Sequence, residues 1–293
     1  MPKQFTRGIA LILAGALACS VNAQTIDLAT DEAAGLAFVN SLAALYESET
    51  GSTLAQETVA TGLALRKAAT GEVDVAASTR ATDDERRQER QLTLFPVVWD
   101  ALVVVVHLDN PITNIRLDQL AGLYEAEITR WSDLGGETVP IDLITHETSS
   151  EGIDYNIGEL ILRDAGAELR AARRLQSTDD ILGAVESSPT ALAMVTYSAA
   201  RKRRLKLLTV EGTAPGPSTI GSGDYLLYLP LYLAVRADAA NRRDVRQLIR
   251  LASRADARRV LRRNGVLPYA DGLSLASAQL ERDRMLDGLR TSR

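Results

Sequence analysis

The stretch that decides the fold is ATGLALRKAATGEVDVAAST, residues 60–79. Its first half predicts a helix that ends at Gly71, and its second half, EVDVAAST, predicts a strand. The residues before it show the same order, with strand-like TIDLAT (25–30), a helix-like segment (31–51) and strand-like STLAQETV (52–59). The chain therefore opens with a β-α-β-α-β pattern, which is typical of a mostly parallel sheet with helices on its faces.

The first predicted helix has signals at both of its ends. Its apolar residues, from Leu36 to Tyr46, recur at roughly helical spacing. Thr30 or Asp31 would cap its N-terminus, and Gly51 would end it. The helix is therefore expected to start directly after the first strand.

The remaining chain continues this alternation and divides into two lobes. FPVVWDALVVVVHL (95–108) reads as paired buried strands, because Asp100 interrupts its apolar run, and TAPGPSTIGSGDY (213–225) reads as a loop. The chain leaves a first lobe near residue 100 and returns to it near residue 220. We therefore predict an α/β protein with two lobes, each a mostly parallel sheet flanked by helices, and a ligand cleft between them. Lobe 1 would comprise residues 24–100 and 225–293, and lobe 2 residues 101–224.

The N-terminal segment MPKQFTRGIALILAGALACSVNAQ has the features of a signal peptide. Lys3 and Arg7 precede an apolar run, and the small residues before the cleavage point predict cleavage after Ala23. Residues 1–23 are therefore expected to direct export to the periplasm. Cys19 raises the alternative of a lipoprotein, but the motif ALAC has Ala16 where a larger aliphatic residue is usual.

Composition and charge exclude several classes of function. The net charge of −5 is not the strongly basic balance of a nucleic-acid-binding protein. The arginine-rich region after residue 236 is interleaved with Asp and Leu at helical spacing, which favours a solvated helix face. His107 and His146, the two histidines, do not form a metal-spaced pair. We expect no metal, no cofactor and no nucleic-acid partner.

In open α/β sheets, ligands bind beyond the carboxyl ends of the strands. This rule directs attention to the loops at 30–31, 61–62, 78–80 and 149–152. The last of them lies in THETSSEGID (145–154), where two serines and a glycine precede a predicted helix. Backbone N–H groups at such a helix start can hold an anion.

Several motifs resemble those of the periplasmic phosphate-binding proteins of ABC transporters. LRKAATGEVDVAASTRATDDE (65–85) is similar to that family's helix, Gly-Glu-Val-Asp-Ile-Ala and Ser-Ser-Arg segment. NPITNIRLDQLAGLYEAEITRWSDLGG (110–136) resembles its Asn-Pro, Leu-x-x-Leu and Ile-Thr-x-Trp-x-x-Leu-Gly-Gly block, which is the most specific match. LLYLPLYLAVR (226–236) and NGVLPY (264–269) resemble two later segments. The resemblance runs from about residue 26 to residue 270.

This resemblance implies the two-lobed periplasmic binding protein fold and a monomer without catalytic activity. Such a protein closes on dehydrated phosphate through Ser and Thr hydroxyls, backbone N–H groups and an arginine, and it delivers the phosphate to the permease of an ABC importer. The hinge would lie near residues 98–108 and 222–234. Carried over position by position, the ligand-binding residues would be Thr30, Thr61, Gly62, Ser78, Thr79, Arg80, His146, Ser149 and Ser150.

The chain also departs from the family pattern. Asp31 and Glu32 follow Thr30 where the family has a run of Ser and Thr, His146 stands in place of an arginine, and Glu151 in place of a glycine. Glu151 would either cap its own helix or face the ligand and repel a doubly charged phosphate. His146 would either contact the anion or lie as a neutral residue at the cleft rim.

Three classes of function stay open at this point. The first is an exported solute-binding protein that captures a small oxyanion, with phosphate as the first candidate. The second is a repurposed module of the same fold that senses or binds another ligand or protein and no longer holds phosphate tightly. The third, a periplasmic hydrolase, is disfavoured because GPSTIGSG (216–223) lacks the spacing of a Gly-x-Ser-x-Gly nucleophile elbow.

Overall fold

The computed structural model describes residues 25–83, 85–147 and 152–291. The predicted signal peptide, residues 1–23, lies outside the described residues. The predicted ligand residues Ser149 and Ser150, together with Glu151, lie outside them as well. Within the described part of the chain, no helix is both long enough and apolar enough to cross a membrane.

The strands of the described residues form one large sheet and one small one. They are β1 (Ile26–Thr30), β2 (Leu54–Thr58), β3 (Val75–Ser78), β4 (Leu92–Val106), β5 (Asn114–Ile115), β6 (Asp142–His146), β7 (Arg173–Leu175), β8 (Ala191–Thr196), β9 (Lys206–Leu207), β10 (Thr209–Val210), β11 (Tyr228–Arg236) and β12 (Leu267–Pro268). The large sheet has the order β2-β1-β3-β11-β4-β8-β6-β7, and β9 and β12 also pair with β4. The small sheet pairs β5 with β10.

Helices cover the sheet and connect its strands. They are α1 (Glu32–Ala34), α2 (Asn40–Thr50), α3 (Thr61–Thr70), α4 (Leu117–Tyr124), α5 (Ile153–Ile157), α6 (Thr178–Ser187), α7 (Tyr197–Ala200), α8 (Pro217–Ser222), α9 (Ala237–Ala240), α10 (Arg243–Ala252), α11 (Ala255–Arg263) and α12 (Leu273–Thr291). A π-helical turn, Gly35–Val39, joins α1 to α2, and a second one, Gly158–Leu162, extends α5. Short 3₁₀ helices lie at Glu89–Gln91, Trp131–Leu134 and Tyr269–Asp271.

The opening β-α-β-α-β pattern is confirmed. Strand β1 pairs in parallel with both β2 and β3, and the helices that connect these strands end where the glycines predict. Gly51 and Gly71 adopt left-handed conformations, with φ of 67° and 81°, which only glycine adopts without strain. Of the two predicted caps of the first helix, Asp31 is the one whose side chain accepts the Ala34 N–H.

The prediction of paired strands in FPVVWDALVVVVHL is wrong, because this segment lies within the single strand β4. Leu92–Ala101 pairs with β11, and Leu102–Val106 pairs with β8. Residues 97–106 are all buried, since both faces of the strand are covered, and such a strand shows a continuous apolar run. Strand β4 therefore belongs to both halves of the sheet and joins them.

The prediction of a loop over residues 213–225 is also wrong in part. Helix α8 lies within it, with Pro217 at its first position and Gly223 ending it at φ 82°. Proline at the first helical position loses no hydrogen bond, because that N–H has no intrahelical acceptor. The same Gly and Pro residues that are typical of loops here delimit a short helix.

The C-terminal helix α12 contacts both halves of the molecule. It packs against α4 and the π-helical turn Gly158–Leu162. Arg282 donates to the backbone oxygen of Tyr228 in β11 at 2.6 Å and lies over the ring of the same residue, 4.6 Å from its centre. Because Arg163 also pairs with Asp287 at 2.7 Å, α12 bridges the end of α5 and the strand β11.

Asp100 should make the stability of the protein depend on pH. Burial raises the pKa of this carboxyl from 3.8 to about 6, and its Oδ1 accepts hydrogen bonds from the N–H groups of Ala101 and Ser198 at 2.8 and 3.3 Å. The native state therefore holds a proton that the unfolded chain releases, so the contribution of Asp100 to stability should fall as pH rises from about 4 to 6. We expect Asp100→Asn to abolish this loss, which amounts to about 2–3 kcal/mol.

The measurement is urea unfolding of both proteins between pH 4 and pH 7.5. The stability difference in favour of Asp100→Asn should grow with pH and level off above pH 6. Glu137→Gln, which changes an exposed carboxylate, serves as the control and should track the wild type at every pH. Parallel profiles for the wild type and Asp100→Asn would show that Asp100 titrates normally.

Candidate functional site

A cleft of about 690 Å³ lies beyond the carboxyl ends of strands from both halves of the large sheet. This is the position that ligands occupy in open α/β sheets. The residues that line the cleft are Asp31, Glu32, Ala33, Thr58, Val59, Ala60, Thr61, Thr79, His146, Glu147, Gly152, Ile153, Gln176, Ser177 and Thr178. The cleft therefore combines the ends of β1, β2 and β3 with those of β6 and β7.

Asp31 is the central polar group on the side of the cleft formed by β1 and β3. The residue is only 8% exposed. Its Oδ1 accepts the Ala34 N–H at 2.7 Å. Its Oδ2 accepts three hydrogen bonds, from the Thr61 hydroxyl at 2.6 Å, the Thr79 hydroxyl at 3.0 Å and the Thr79 N–H at 3.2 Å. Three donors from two segments thus converge on one carboxylate oxygen.

Burial has the largest effect on the pKa of Asp31 and raises it above the ordinary value of 3.8. The hydrogen bonds from Ala34, Thr61 and Thr79 act in the opposite direction, because they stabilise the charged form. A buried carboxylate persists only where such donors replace its hydration. The donor set around Asp31 is therefore suited to an oxyanion.

Glu32 reaches across the cleft from the first turn of α1 to the first turn of α6. Its Oε2 accepts the Thr178 N–H at 2.6 Å. The N-terminus of a helix carries a partial positive charge and N–H groups without intrahelical acceptors, so it attracts a carboxylate. Glu32 thus occupies an anion-binding position on the opposite half of the molecule.

Two further contacts cross the cleft. The Asn156 side chain in α5 donates to the backbone oxygen of Thr79 at 2.9 Å and to that of Gly152 at 2.8 Å. Gly152 has φ 65°, and a Cβ atom at this position would lie 2.8 Å from the Thr61 hydroxyl oxygen. The two sides of the cleft therefore meet closely, and only glycine fits at position 152.

His146 lies between the cleft and a buried carboxylate. Its Nε2 is 3.2 Å from the Thr178 hydroxyl, and its Nδ1 is 3.5 Å from Oδ1 of Asp154, which is 2% exposed. The second oxygen of Asp154 is 3.9 Å from Arg174. Among the described residues, the Thr178 hydroxyl is therefore the hydrogen-bond partner of the His146 ring, and Nδ1 faces the Asp154 carboxylate without a hydrogen bond.

The charged residues of the cleft wall are mainly acidic. Asp31, Glu32 and Glu147 are on it, and His146 is the basic residue among those that the structure describes there. The guanidinium of Arg174 bonds to the backbone oxygens of Leu169 and His146, at 2.6 and 3.2 Å, and does not line the cleft. Among the described residues, no group of three or more His, Cys, Asp or Glu side chains is placed to hold a metal ion.

The structure brings only part of the predicted ligand set to the cleft. Thr61, Thr79 and His146 line it. The hydroxyls of Thr30 and Ser78 instead donate to backbone oxygens, that of Asp31 at 2.9 Å and that of Arg80 at 2.7 Å, respectively. Gly62 lies buried in the first turn of α3. Because residues 148–151 are not described, the placement of Ser149 and Ser150 and the role of Glu151 stay predictions.

Arg80 belongs to a buried ion pair. The residue is 1% exposed, and its guanidinium forms a bidentate pair with Glu89, with N···O distances of 2.8 and 2.7 Å. It also donates to the backbone oxygen of Ala81 at 2.8 Å and lies 5.3 Å from the centre of the Tyr155 ring. The charge of Arg80 is therefore matched by Glu89, and its side chain does not line the cleft.

Three residues that line the cleft or contact its lining were not singled out from the sequence. Thr178 had a signal, because it opens the predicted helix TDDILGAVESSPT, and a helix N-terminus is an anion site. Asn156 and Asp154 lie within a predicted helix, where the sequence carries no sign of which side chains turn inward. Their positions depend on how α5 packs against β6.

The Arg80–Glu89 pair should be essential for stability. We expect Arg80→Met to lower the free energy of unfolding by about 3–5 kcal/mol, since it leaves the Glu89 carboxylate buried without its cation. The double variant Arg80→Met with Glu89→Leu should recover much of that loss, because neither charge is left buried. The measurement is urea unfolding at pH 7.

Arg116→Met is the matched control, because it breaks an exposed pair with Asp118 and should cost less than about 1 kcal/mol. An unfolding free energy of Arg80→Met close to that of the wild type would contradict a structural role for the pair.

Comparison with known proteins places residues 20–252 in the PBP superfamily domain. The phosphate-binding protein PstS of Staphylococcus haemolyticus is 25% identical over 206 residues, which cover 66% of this chain and 65% of that protein. PstS of Borreliella burgdorferi is 27% identical over 163 residues, with 52% and 57% covered. The chain thus spans less than two thirds of the length of these relatives.

Solved structures show the same fold. A protein from Clostridium perfringens, described as a phosphate ABC transporter substrate-binding protein with bound phosphate, superposes with a TM-score of 0.76 at 15% identity, covering 84% of this chain and 99% of that one. An ABC-type phosphate transport receptor from Vibrio cholerae gives 0.69 at 22% identity, covering 84% and 100%. The chain therefore belongs to the PBP superfamily domain family and has the two-lobed fold of its phosphate-binding members.

Proposed function

We propose that this protein is an exported solute-binding protein that captures a small oxyanion, with phosphate as the first candidate, for an ABC importer. One observation carries the proposal: the hydroxyls of Thr61 and Thr79 and the Thr79 N–H converge on a single carboxylate oxygen in the cleft. Donors with this convergence suit any tetrahedral or planar oxyanion, and charge-assisted hydrogen bonds of this kind are the strong ones. The PstS relatives support phosphate as the solute.

Capture would proceed by closure of the two lobes. Strand β4 changes its pairing partner between Ala101 and Leu102, so a small rotation there moves β8 and β6 relative to β11 and β3. We place the hinge in residues 98–108 and 222–234, with lobe 1 in residues 24–100 and 225–293 and lobe 2 in residues 101–224. Hinge motion of this type requires changes at only a few residues.

The remaining parts of the proposal concern the setting of the protein. Residues 1–23 would direct export and be removed, and the mature protein would act as a monomer in the periplasm. Its partner would be the membrane permease of an importer, and the protein would catalyse no reaction. The phosphate-binding relatives and structural neighbours support this assignment.

A second candidate function is favoured by the carboxylates of the cleft. Asp31 and Glu32 accept hydrogen bonds from donors that an oxyanion would need. The described cleft wall has carboxylates but no lysine or arginine. Like charges repel more strongly in a cleft that excludes water than in bulk solution. A module of the same fold that senses or binds another ligand or protein would have these properties.

The deciding experiment is calorimetric titration of the refolded mature protein with phosphate, with sulfate and arsenate for comparison. We expect saturable phosphate binding that Thr61→Val and Thr79→Val each weaken ten- to a hundredfold, since each removes a hydrogen bond to a charged group worth about 1.5–3 kcal/mol. Thr70→Val, at the exposed end of α3, is the control and should bind like the wild type.

The opposite result is equally informative. If a folded wild-type protein shows neither heat of binding nor thermal stabilisation at millimolar phosphate, the proposal of phosphate capture is rejected and the repurposed module is favoured. If Thr61→Val and Thr79→Val bind phosphate as tightly as the wild type does, the anion binds elsewhere.

A further inference from the structure

The donors of the cleft are engaged by two neighbouring side chains of the protein itself. Thr61 and Thr79 donate to Asp31, and Thr178 donates its N–H to Glu32. These two carboxylates belong to consecutive residues, yet they accept hydrogen bonds from donors on opposite sides of the cleft. The first turn of α1 thus makes the kind of contacts with both lobes that a bound oxyanion makes.

The Glu32 contact also holds the two sides together. Glu32 follows β1, which lies in the half of the sheet with β2 and β3, whereas Thr178 opens α6, which packs against β8 and β6 in the other half. The Asn156 bond to the Thr79 oxygen and the close approach of Gly152 to Thr61 lie on the same seam. A carboxylate at a helix N-terminus is a favourable contact in itself, so it stabilises the closed arrangement.

We propose that Asp31 and Glu32 act as an internal anion of the cleft, in which Asp31 competes with a captured oxyanion for the lobe 1 donors and Glu32 latches the lobes shut. This inference rests on the proposed function, because it specifies how the same site is regulated. A solute enters only by displacing these carboxylates from Thr61, Thr79 and Thr178. The affinity of the protein for a solute is therefore set by the difference between two free energies, that of the donors binding the solute and that of the same donors binding Asp31 and Glu32.

Asp31→Asn separates the charge from the structural role of this residue. Asparagine caps helices as well as aspartate does, so its side-chain oxygen can still accept the Ala34 N–H. Its amide nitrogen cannot accept the Thr61 and Thr79 donors, which become available to an oxyanion. We expect Asp31→Asn to bind inorganic phosphate at least tenfold more tightly than the wild type, measured by calorimetry at pH 7.5.

Glu147→Gln is the matched control for net charge. Glu147 is an exposed carboxylate of the same cleft wall. Its replacement removes one negative charge of the cleft wall without releasing the donors held by Asp31, so any gain in phosphate affinity measures general electrostatics and should be at least threefold smaller than the gain of Asp31→Asn. Equal gains in phosphate affinity for Glu147→Gln and Asp31→Asn would show that only the loss of negative charge matters. That result would overturn the proposal that Asp31 competes with phosphate for the donors.

The latch is tested separately, without any phosphate. Glu32→Ala removes the contact to Thr178, so the ligand-free variant should have a larger radius of gyration in small-angle X-ray scattering than the ligand-free wild type. Saturating phosphate should then compact Glu32→Ala but leave the wild type nearly unchanged. Circular dichroism spectra and thermal melts of the variant establish that it is folded. A ligand-free Glu32→Ala as compact as the wild type would overturn the latch.

The outcomes separate this inference from the proposed function. If the wild type binds phosphate and Asp31→Asn binds it no better, or less well, the competition fails and phosphate capture stands. If no variant binds phosphate, capture and competition fail together, and the scattering of Glu32→Ala still decides whether the latch exists. Tighter phosphate binding by Asp31→Asn with opening of Glu32→Ala supports both parts of the inference.

Discussion

The buried carboxylate of Asp31 is the interaction on which the cleft depends. It draws together the ends of three elements, because Ala34 belongs to α1, Thr61 to α3 and Thr79 follows β3. A carboxylate loses its hydration on burial, and removal of any one donor would leave part of that loss uncompensated. The positions of these donors are thus fixed by the charge they surround, and the same arrangement defines the wall that a solute would contact.

The parts of the fold that follow from the sequence are those determined by nearby residues. Helix α3 and strand β3 were predictable, since the Gly71 stop and the alternation of strand and helix lie within a short segment. Strand β4 was not, because one strand covered on both faces and two adjacent buried strands give the same apolar run. The difference lies in its partners, β11 and β8, which are distant in sequence.

The site was predictable only as far as residue types and strand ends allow. Thr61 and Thr79 line the cleft, which agrees with their positions at the start of a helix and just after a strand, and their role in binding a ligand stays a prediction. What they bond to was beyond the sequence, since Asp31 and Glu89 are the partners of Thr61 and Arg80 only after the chain has folded. A motif shows which donors exist, whereas tertiary packing decides which acceptor takes them.

This distinction explains how a chain can keep the architecture of a phosphate-binding family and still have an acidic cleft. The donors of Thr61, Thr79 and Thr178 require an acceptor with negative charge, and a carboxylate meets that requirement as a free oxyanion does. Asp31 and Glu32 supply it at high local concentration, because they are tethered to the same chain. The donors alone therefore do not determine the affinity for a solute. It is determined by how much more strongly they hold that solute than they hold Asp31 and Glu32.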